Sequence, residues 1–249
     1  MNSARIRWLW VLVFCLTLPA GVIISTHLAR RSFERVKLRG QTIRVKGYAE
    51  RDIVSDLARW RAGIVVRDEE LASGYRKLES QRAELLQLLA SNGFPSEQVG
   101  IAPVSISNLY ERTKEGDRTD KVIGHRLTQY FAISSEDVAS VARVARTSSD
   151  LIRSGIHLDA DSPEYLYTKL ESLKLEMLNE ASANARERAN QLVSHTAPAL
   201  GPLRSASQGV FQITPRFSTE VSNYGINDTS SMEKTIKAVV TMEYALPEE

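Results

Sequence analysis

The stretch Lys234-Thr235-Ile236-Lys237-Ala238-Val239-Val240-Thr241-Met242-Glu243-Tyr244-Ala245-Leu246 alternates apolar and polar side chains along its length. Ile236, Ala238, Val240, Met242, Tyr244 and Leu246 fall on one face, with Lys237, Thr241 and Glu243 on the other, the period-two pattern of a half-buried β-strand. Leu203–Thr214 reads as the strand before it. Between them Pro215–Glu233 is a polar loop of 19 residues. Most connections in compact domains run about 4–6 residues, so one this long marks a functional or mobile segment.

Working back along the chain, Asp161–His195 changes period. Leu170, Leu173, Met177, Ala181, Ala185, Ala189 and Leu192 form one helical stripe whose second half is small, which lets a sheet or a second helix approach closely. Ser162-Pro163 and the capping box Thr168…Glu171 both offer a start; the later one leaves Pro163–Tyr167 as a short strand. Gly100–Arg112 and Lys121–Ser134 read as a hairpin around the charged turn 113–118. A capping box at Ser134-Ser135-Glu136-Asp137 opens a helix carried by Val138, Val141, Ala142 and Ala145 and ending before Gly155. Leu71, Tyr75, Leu78, Leu85 and Leu89 define another helix, with Asp68 at its start and Asn92-Gly93 at its end. Gln41–Val54 and Leu57–Arg67 read as a hairpin turned at Ser55-Asp56. The order ββα-ββα-βα-ββ indicates an α+β domain over 41–247, its helices packed on a largely antiparallel sheet.

Residues 8–29 contain no Asp, Glu, Lys or Arg, and at ~1.5 Å per residue a helix of that length reaches ~33 Å, enough for a bilayer core. The N-terminus therefore divides into a short tail 1–7, one transmembrane anchor 8–29 and a basic linker 30–40. A cleaved signal peptide is the competing reading, with Arg5 and Arg7 before the apolar run and Leu18-Pro19-Ala20 as a mediocre cleavage site. Arg30, Arg31, Arg35, Lys37 and Arg39 outnumber Arg5 and Arg7, which by the positive-inside rule keeps the carboxyl side in the cytoplasm.

The 249 residues carry a net charge of +2, but residues 1–40 hold seven Lys and Arg against one Glu, leaving 25 basic and 29 acidic in the body. A mildly acidic body is a poor partner for nucleic acid. Cys15 is the only cysteine, so there is no intramolecular disulfide and no paired-cysteine metal or redox motif. His27, His125, His157 and His195 are dispersed, and no phosphate-binding, dinucleotide-binding or GxSxG motif occurs. No catalytic, cofactor-binding or metal-binding residues are assigned, and no cofactor is expected. Asp52 and Asp56 read as turn residues. Tyr165 and Tyr167 share a strand face that suits either an oligomer contact or ordinary sheet packing. Asn227-Asp228-Thr229 matches a glycosylation acceptor, weakly.

Ile43-Arg44-Val45-Lys46-Gly47-Tyr48-Ala49-Glu50 followed by Ser55-Asp56-Leu57-Ala58 resembles the opening of the SIMPL domain. Glu180-Ala181-Ser182-Ala183-Asn184-Ala185-Arg186-Glu187-Arg188-Ala189, with Leu200-Gly201-Pro202-Leu203 after it, resembles that family's Ala-rich helix and its Leu-Gly exit into a strand. Asn184 stands where the family often has Asp, and the long loop after Pro215 is not a general family feature. The resemblance implies a bacterial envelope protein without established catalytic residues. Its relatives include a periplasmic antigen forming ring-like or channel-like homo-oligomers, proteins linked to oxidative-stress defence, and an animal protein that associates with a kinase. It places the soluble domain in the periplasm on a single-pass inner-membrane anchor, against the charge count; large domains can translocate despite flanking charge.

Three functions follow as expectations. The first is a membrane-anchored, non-enzymatic envelope protein that forms a homo-oligomer. The second is an adaptor whose loop 215–233 or strand edge binds another protein. The third is an enzyme assembled from distant residues, which requires a deep polar pocket holding His125 or His157 beside a carboxylate.

Overall fold

The computed structural model describes residues 41–194 and 199–246, together with Ser25 and Thr26. The expected tail, anchor and linker, apart from those two residues, lie outside the described residues, as do Cys15, His27 and His195. Among the described residues no helix is long and apolar enough to cross a membrane. The chain divides into two compact units, one from Met1–Ala49, Leu178–Gly209 and Ala238–Glu249, the other from Glu50–Met177 and Val210–Lys237. The elements β1 (Thr42–Val54), α4 (Leu170–Val193) and β11 (Glu233–Ala245) each contribute residues to both.

The larger unit holds a six-stranded sheet. Its path runs β3 (Gly100–Ile101), β5 (Arg118–Ser135), β2 (Leu57–Asp68), β6 (Leu158–Ala160), with β4 (Ser105–Arg112) on β5 and β7 (Glu164–Leu166) on β2. All these pairings are antiparallel. Strand alternation sends Ala58, Trp60, Ala62, Ile64 and Val66 of β2 and Leu127, Phe131 and Ile133 of β5 to one face. There they join Leu78, Leu85 and Leu89 of α1 (Leu71–Ser91) and Val141 and Val144 of α2 (Val138–Thr147) in one apolar cluster. At about 1.5–3 kcal/mol per large apolar side chain buried, that cluster dominates the unit's stability.

Local signals account for the helix ends. Asp68 accepts from the Glu70 N–H at 3.0 Å and from Ser73 Oγ and Lys77 Nζ, fixing the first turn of α1. At the other end Gly93 adopts φ 92° and Phe94 N–H reaches back to Leu89 O, a Schellman closure that also buries the Phe94 ring. The cap of α2 is Asp137, which accepts from Ser140 N–H at 3.1 Å, rather than Ser134. Beyond it the expected helix breaks at Ser148, and α3 (Ser149–Arg153) completes it.

The first hairpin expectation is corrected. β1 joins β11, whereas β2 joins β5, β6 and β7, so the two strands belong to different sheets. The link at Ser55-Asp56 is not a tight turn: Ser55 N–H donates to Met232 O and Asp56 N–H to Leu166 O, sending the chain from one sheet to the other. The expected single sheet is accordingly two. Gly100–Arg112 is also split, because Pro103 lies between β3 and β4. The expected Thr168…Glu171 box is replaced by Asp56, whose carboxylate accepts from Thr168 N–H at 2.7 Å and Thr168 Oγ1 at 2.9 Å, while Glu171 pairs with Lys174.

Also in this unit, β9 (Gln212–Pro215) runs antiparallel to the first residues of β11, and β10 (Ile226–Asn227) runs parallel to β9. The expected strand Leu203–Thr214 is thus two pieces, interrupted at Gly209–Phe211.

In the smaller unit β8 (Leu203–Gln208) pairs antiparallel with β11 in the register Val240↔Gln208 to Tyr244↔Leu203. Here the two quoted motifs meet. A Cβ on Gly47 of β1 would lie 2.0 Å from Ala181 O and 2.6 Å from Ala185 Cβ, so strand backbone rests directly on the Ala stripe of α4. Tyr48 N–H donates to Asn184 Oδ1 at 3.1 Å and Arg188 Nη1 to Lys46 O at 3.2 Å. Ala181, Ala185 and Ala189 are fully buried; Val193, not the exposed Leu192, ends the stripe. Gly201 makes a second close approach, its N–H bonded to Ala245 O at 3.0 Å where a Cβ would sit 2.4 Å from that oxygen.

Candidate interaction surfaces

Two features of the larger unit present apolar groups to solvent. The first is strand β4. It pairs only with β5 among the described residues, so its second edge carries free backbone donors and acceptors. Ser105-Ile106-Ser107-Asn108-Leu109 contains no charge and no proline, the residues that usually protect an edge. Ile106 is half exposed and so are Val122 and Ile123 on the neighbouring part of β5. Register irregularities begin only beyond Leu109, toward the tip. An uncharged strand edge that exposes Ile106 is a template for pairing with another chain.

The second feature is the loop after Pro215, and its base is built on a buried ion pair. Lys234 lies on the inward parity of β11 and is 1% exposed. Its Nζ donates to Asp228 O at 2.5 Å and to the Asp228 carboxylate at 3.2 Å. That carboxylate also accepts from the backbone and hydroxyl of Ser230 and of Ser231. Burial pushes the Asp228 pKa upward, but the Ser230, Ser231 and Lys234 hydrogen bonds outweigh it and hold the group well below the usual carboxylate range. Burial lowers the Lys234 pKa, with Asp228 opposing.

Further ties hold the other side of the loop. Arg216 bridges Asp52 at 3.0 Å and Glu233 at 3.1 Å, and those two carboxylates raise its pKa. Lys237 Nζ donates to Ser218 O at 3.0 Å, and the Gln212 amide makes two bonds to the Ser222 backbone. Between these ties stand Phe217, Val221 and Tyr224, 86%, 74% and 97% exposed. Phe217 is also the one described non-glycine residue at positive φ, 66°. A non-glycine left-handed backbone costs on the order of 1–3 kcal/mol and concentrates at functional sites. The loop therefore fixes large apolar side chains in water by many polar ties, an arrangement typical of a binding surface.

The residues singled out from the sequence are distributed as follows. Asp52 accepts from Thr235 Oγ1 at 2.8 Å as well as from Arg216, and Asp56 holds Thr168, in the turn just before α4; neither serves a hairpin turn. His125 Nδ1 shares a hydrogen bond with Asn108 Oδ1 at 3.0 Å, and His157 contributes its carbonyl to Val65 N–H. An open trough of about 570 Å³ crosses the outer sheet face beside Arg59, Arg61, Asp161 and Glu164, and neither histidine lines it. Tyr165 and Tyr167 both line a small cavity of about 50 Å³ with Asp228 and Lys234. Among the described residues no group of three or more His, Cys, Asp and Glu is placed to hold a metal ion. The buried Asp228–Lys234 pair went unread in the sequence, although a lysine on the apolar parity of the last strand was its signal.

An α+β chain whose distinctive motifs interlock as strand on Ala-rich helix defines the class, and sequence similarity supplies the family. Residues 43–244 match SIMPL, described as a protein of unknown function (DUF541), and the chain belongs to that family. No curated protein matches it. A solved structure described as "The crystal structure of a putative aminohydrolase from methicillin resistant Staphylococcus aureus" is similar over 57% of this chain and 39% of its own, at 12% identity and a TM-score of 0.25. A likeness that slight carries no argument about activity.

Proposed function

We propose that this chain is a membrane-anchored, non-enzymatic SIMPL-domain protein of the bacterial envelope. Residues 8–29 cross the inner membrane once, the soluble domain stands in the periplasm, and copies self-assemble. The observation that supports assembly is the uncharged, unpaired edge of β4 with Ile106 exposed on it. Anchoring aids assembly by confining copies to one surface and raising their effective concentration. The test is the mass of the full chain in detergent, measured by light scattering over a concentration series. A discrete oligomer is expected, and a persistent monomer at high concentration overturns the reading. Reporter fusions at the C-terminus check placement: activity of a periplasm-dependent reporter is expected, and activity of a cytoplasm-dependent one reverses the orientation. A link to oxidative-stress defence, carried over from family resemblance, predicts that a deletion strain survives peroxide less well than its parent.

The pinned loop favours a second reading, an adaptor that docks on another protein. Deleting 217–224 would then abolish recovery of a co-purifying partner while leaving the thermal transition in place; unchanged recovery sinks it.

A further inference from the structure

We propose that the trough on the outer sheet face of the larger unit binds a free α-amino acid, its carboxylate taken by Arg59 and Arg61 and its ammonium group by Asp161 and Glu164. Such a site is separate from anchoring and assembly and goes beyond both. Helices α1 and α2 pack on the opposite face of the sheet, which leaves the trough, about 570 Å³, open to solvent. Strand register sets its charges in two parallel rows. In one, Ala132 of β5 stands opposite Arg61 of β2, and Asp161 N–H donates to Arg61 O at 3.0 Å. In the other, Ser134 of β5 and Glu164 of β7 flank Arg59. Each row therefore runs from a small residue to a base to an acid. All four charged side chains line the one trough, yet among the described residues none of them forms an ion pair or a side-chain hydrogen bond.

Separate contacts position the two walls. The Arg61 guanidinium lies over the Tyr130 ring, 3.9 Å from its centroid, and that ring rests on Gly63, where a Cβ would sit 2.7 Å from Tyr130 Cε1. Stacking occupies the face of the guanidinium and leaves its N–H edge for a planar carboxylate. On the acidic side Trp60 Nε1 donates to Asp161 O at 3.0 Å, pinning the start of the segment that carries both carboxylates. Charge complementarity selects the ligand class, because two bases beside two acids leave no net charge for an anion or a cation alone to neutralise, whereas a zwitterion satisfies both signs. Spacing selects within that class. Neighbouring strands lie about 4.8 Å apart, which suits an ammonium and a carboxylate carried on one carbon. Each further residue of an extended peptide would move its two charged ends apart by about 3.5 Å. Gly100, paired with Ala132 at the small end of the Arg61 row, leaves room for the ligand's own side chain.

The experiment titrates the full chain in detergent with the proteinogenic L-amino acids, followed by saturation-transfer NMR, which reads weak ligands in fast exchange. For each amino acid that binds, the amine lacking its carboxyl group and the acid lacking its amino group are titrated alone. At least one amino acid is expected to bind, and each half-molecule about tenfold or more weakly. Asp161→Asn with Glu164→Gln should weaken the amino acid about tenfold and leave the deaminated acid unchanged, while Arg61→Gln should weaken it as much and leave the decarboxylated amine unchanged. Melting temperatures equal to the wild type show that these exposed substitutions leave the fold intact, and the crossed pattern is one that a merely structural role would not produce. Binding of the acid or the amine alone as tightly as the amino acid makes the trough a site for a single charge and overturns the proposal. Amino-acid binding indifferent to all three substitutions places the ligand elsewhere and overturns it too, as does a chain to which no amino acid binds.

Discussion

Gly47→Ala is the sharpest test of the fold, because the contact it disturbs joins both sequence motifs. The added Cβ would lie 2.0 Å from Ala181 O, 2.6 Å from Ala185 Cβ and 2.7 Å from Ala185 N. Two of those three atoms are helix backbone, so no rotamer change relieves the clash; α4 and β1 must separate by more than an ångström, taking ~3.4 Å as ordinary contact. Separation loosens the buried face of Ala181, Ala185 and Ala189 and stretches the Tyr48–Asn184 and Arg188–Lys46 hydrogen bonds. Overpacking costs about 1–3 kcal/mol and each weakened hydrogen bond up to about 1, so the expected loss is about 3 kcal/mol. At about 2–4 °C per kcal/mol for a domain of this size, the melting temperature of the full chain falls by about 6–12 °C. Calorimetry or circular dichroism reads it. Gly100→Ala is the control, since its Cβ would meet only Ala132 O at 3.5 Å and Ala132 Cβ at 3.9 Å. Adding Ala185→Gly to Gly47→Ala removes the Cβ clash but not the carbonyl, so only part of the loss returns. A Gly47→Ala protein melting with the wild type would refute the close approach and the account of the motifs built on it.

Ile106→Lys places a charge on the β4 edge at a half-exposed position; light scattering should give a smaller assembly with an unchanged melting temperature, and an unchanged mass would clear that edge. Asp56→Ala removes the acceptor of the Thr168 N–H and hydroxyl and should cost about 0.5–1.5 kcal/mol, read by denaturant titration; a shift below the low end would show that water replaces the carboxylate. Asp228→Asn tests the loop base through pH. The folded-state pKa of Asp228 is depressed, so its contribution is fully present above the unfolded value of ~3.9 and is lost as pH falls below it toward the folded pKa. The wild type should therefore outlast the variant by a constant margin above about pH 5, narrowing below about pH 4; a margin indifferent to pH would remove the carboxylate from the explanation. Lys234→Met should be worse than Lys234→Met with Asp228→Asn, because the single change leaves a buried carboxylate without its cation.

Elements with strong period were legible: the alternation of β11, the leucines of α1 and the Ala stripe of α4 appear where the sequence places them. What the sequence hid is long-range pairing. Nothing within Gln41–Arg67 distinguishes two strands of a hairpin from two strands of separate sheets, since both expose the same alternation; the decision lies in Met232 and Leu166, which accept the N–H groups of Ser55 and Asp56 from far along the chain. The bonds of Asp56 to Thr168, in the turn before α4, were hidden for the same reason, 112 residues separating donor and acceptor. Lys234 differs, because its inward parity was visible and only the partner, six residues back in a loop without period, was not.

The motifs that place the chain in its family bear on where function can reside. Gly47 is occupied by Ala181 and Ala185, Asn184 by the Tyr48 amide, Arg188 by the Lys46 carbonyl and Gly201 by Ala245. These contacts hold the motif residues against neighbouring backbone. Asp56 is likewise committed to Thr168. The β4 edge and the 217–224 tip, which both expose large apolar side chains, lie outside the motifs. Substitutions there should alter assembly or partner recovery with little loss of stability, whereas substitutions in the motifs should lower stability first and function only in consequence. A Phe217→Ser protein that melted as far below wild type as Gly47→Ala would contradict that division, since Phe217 is 86% exposed and buries almost nothing in the isolated chain.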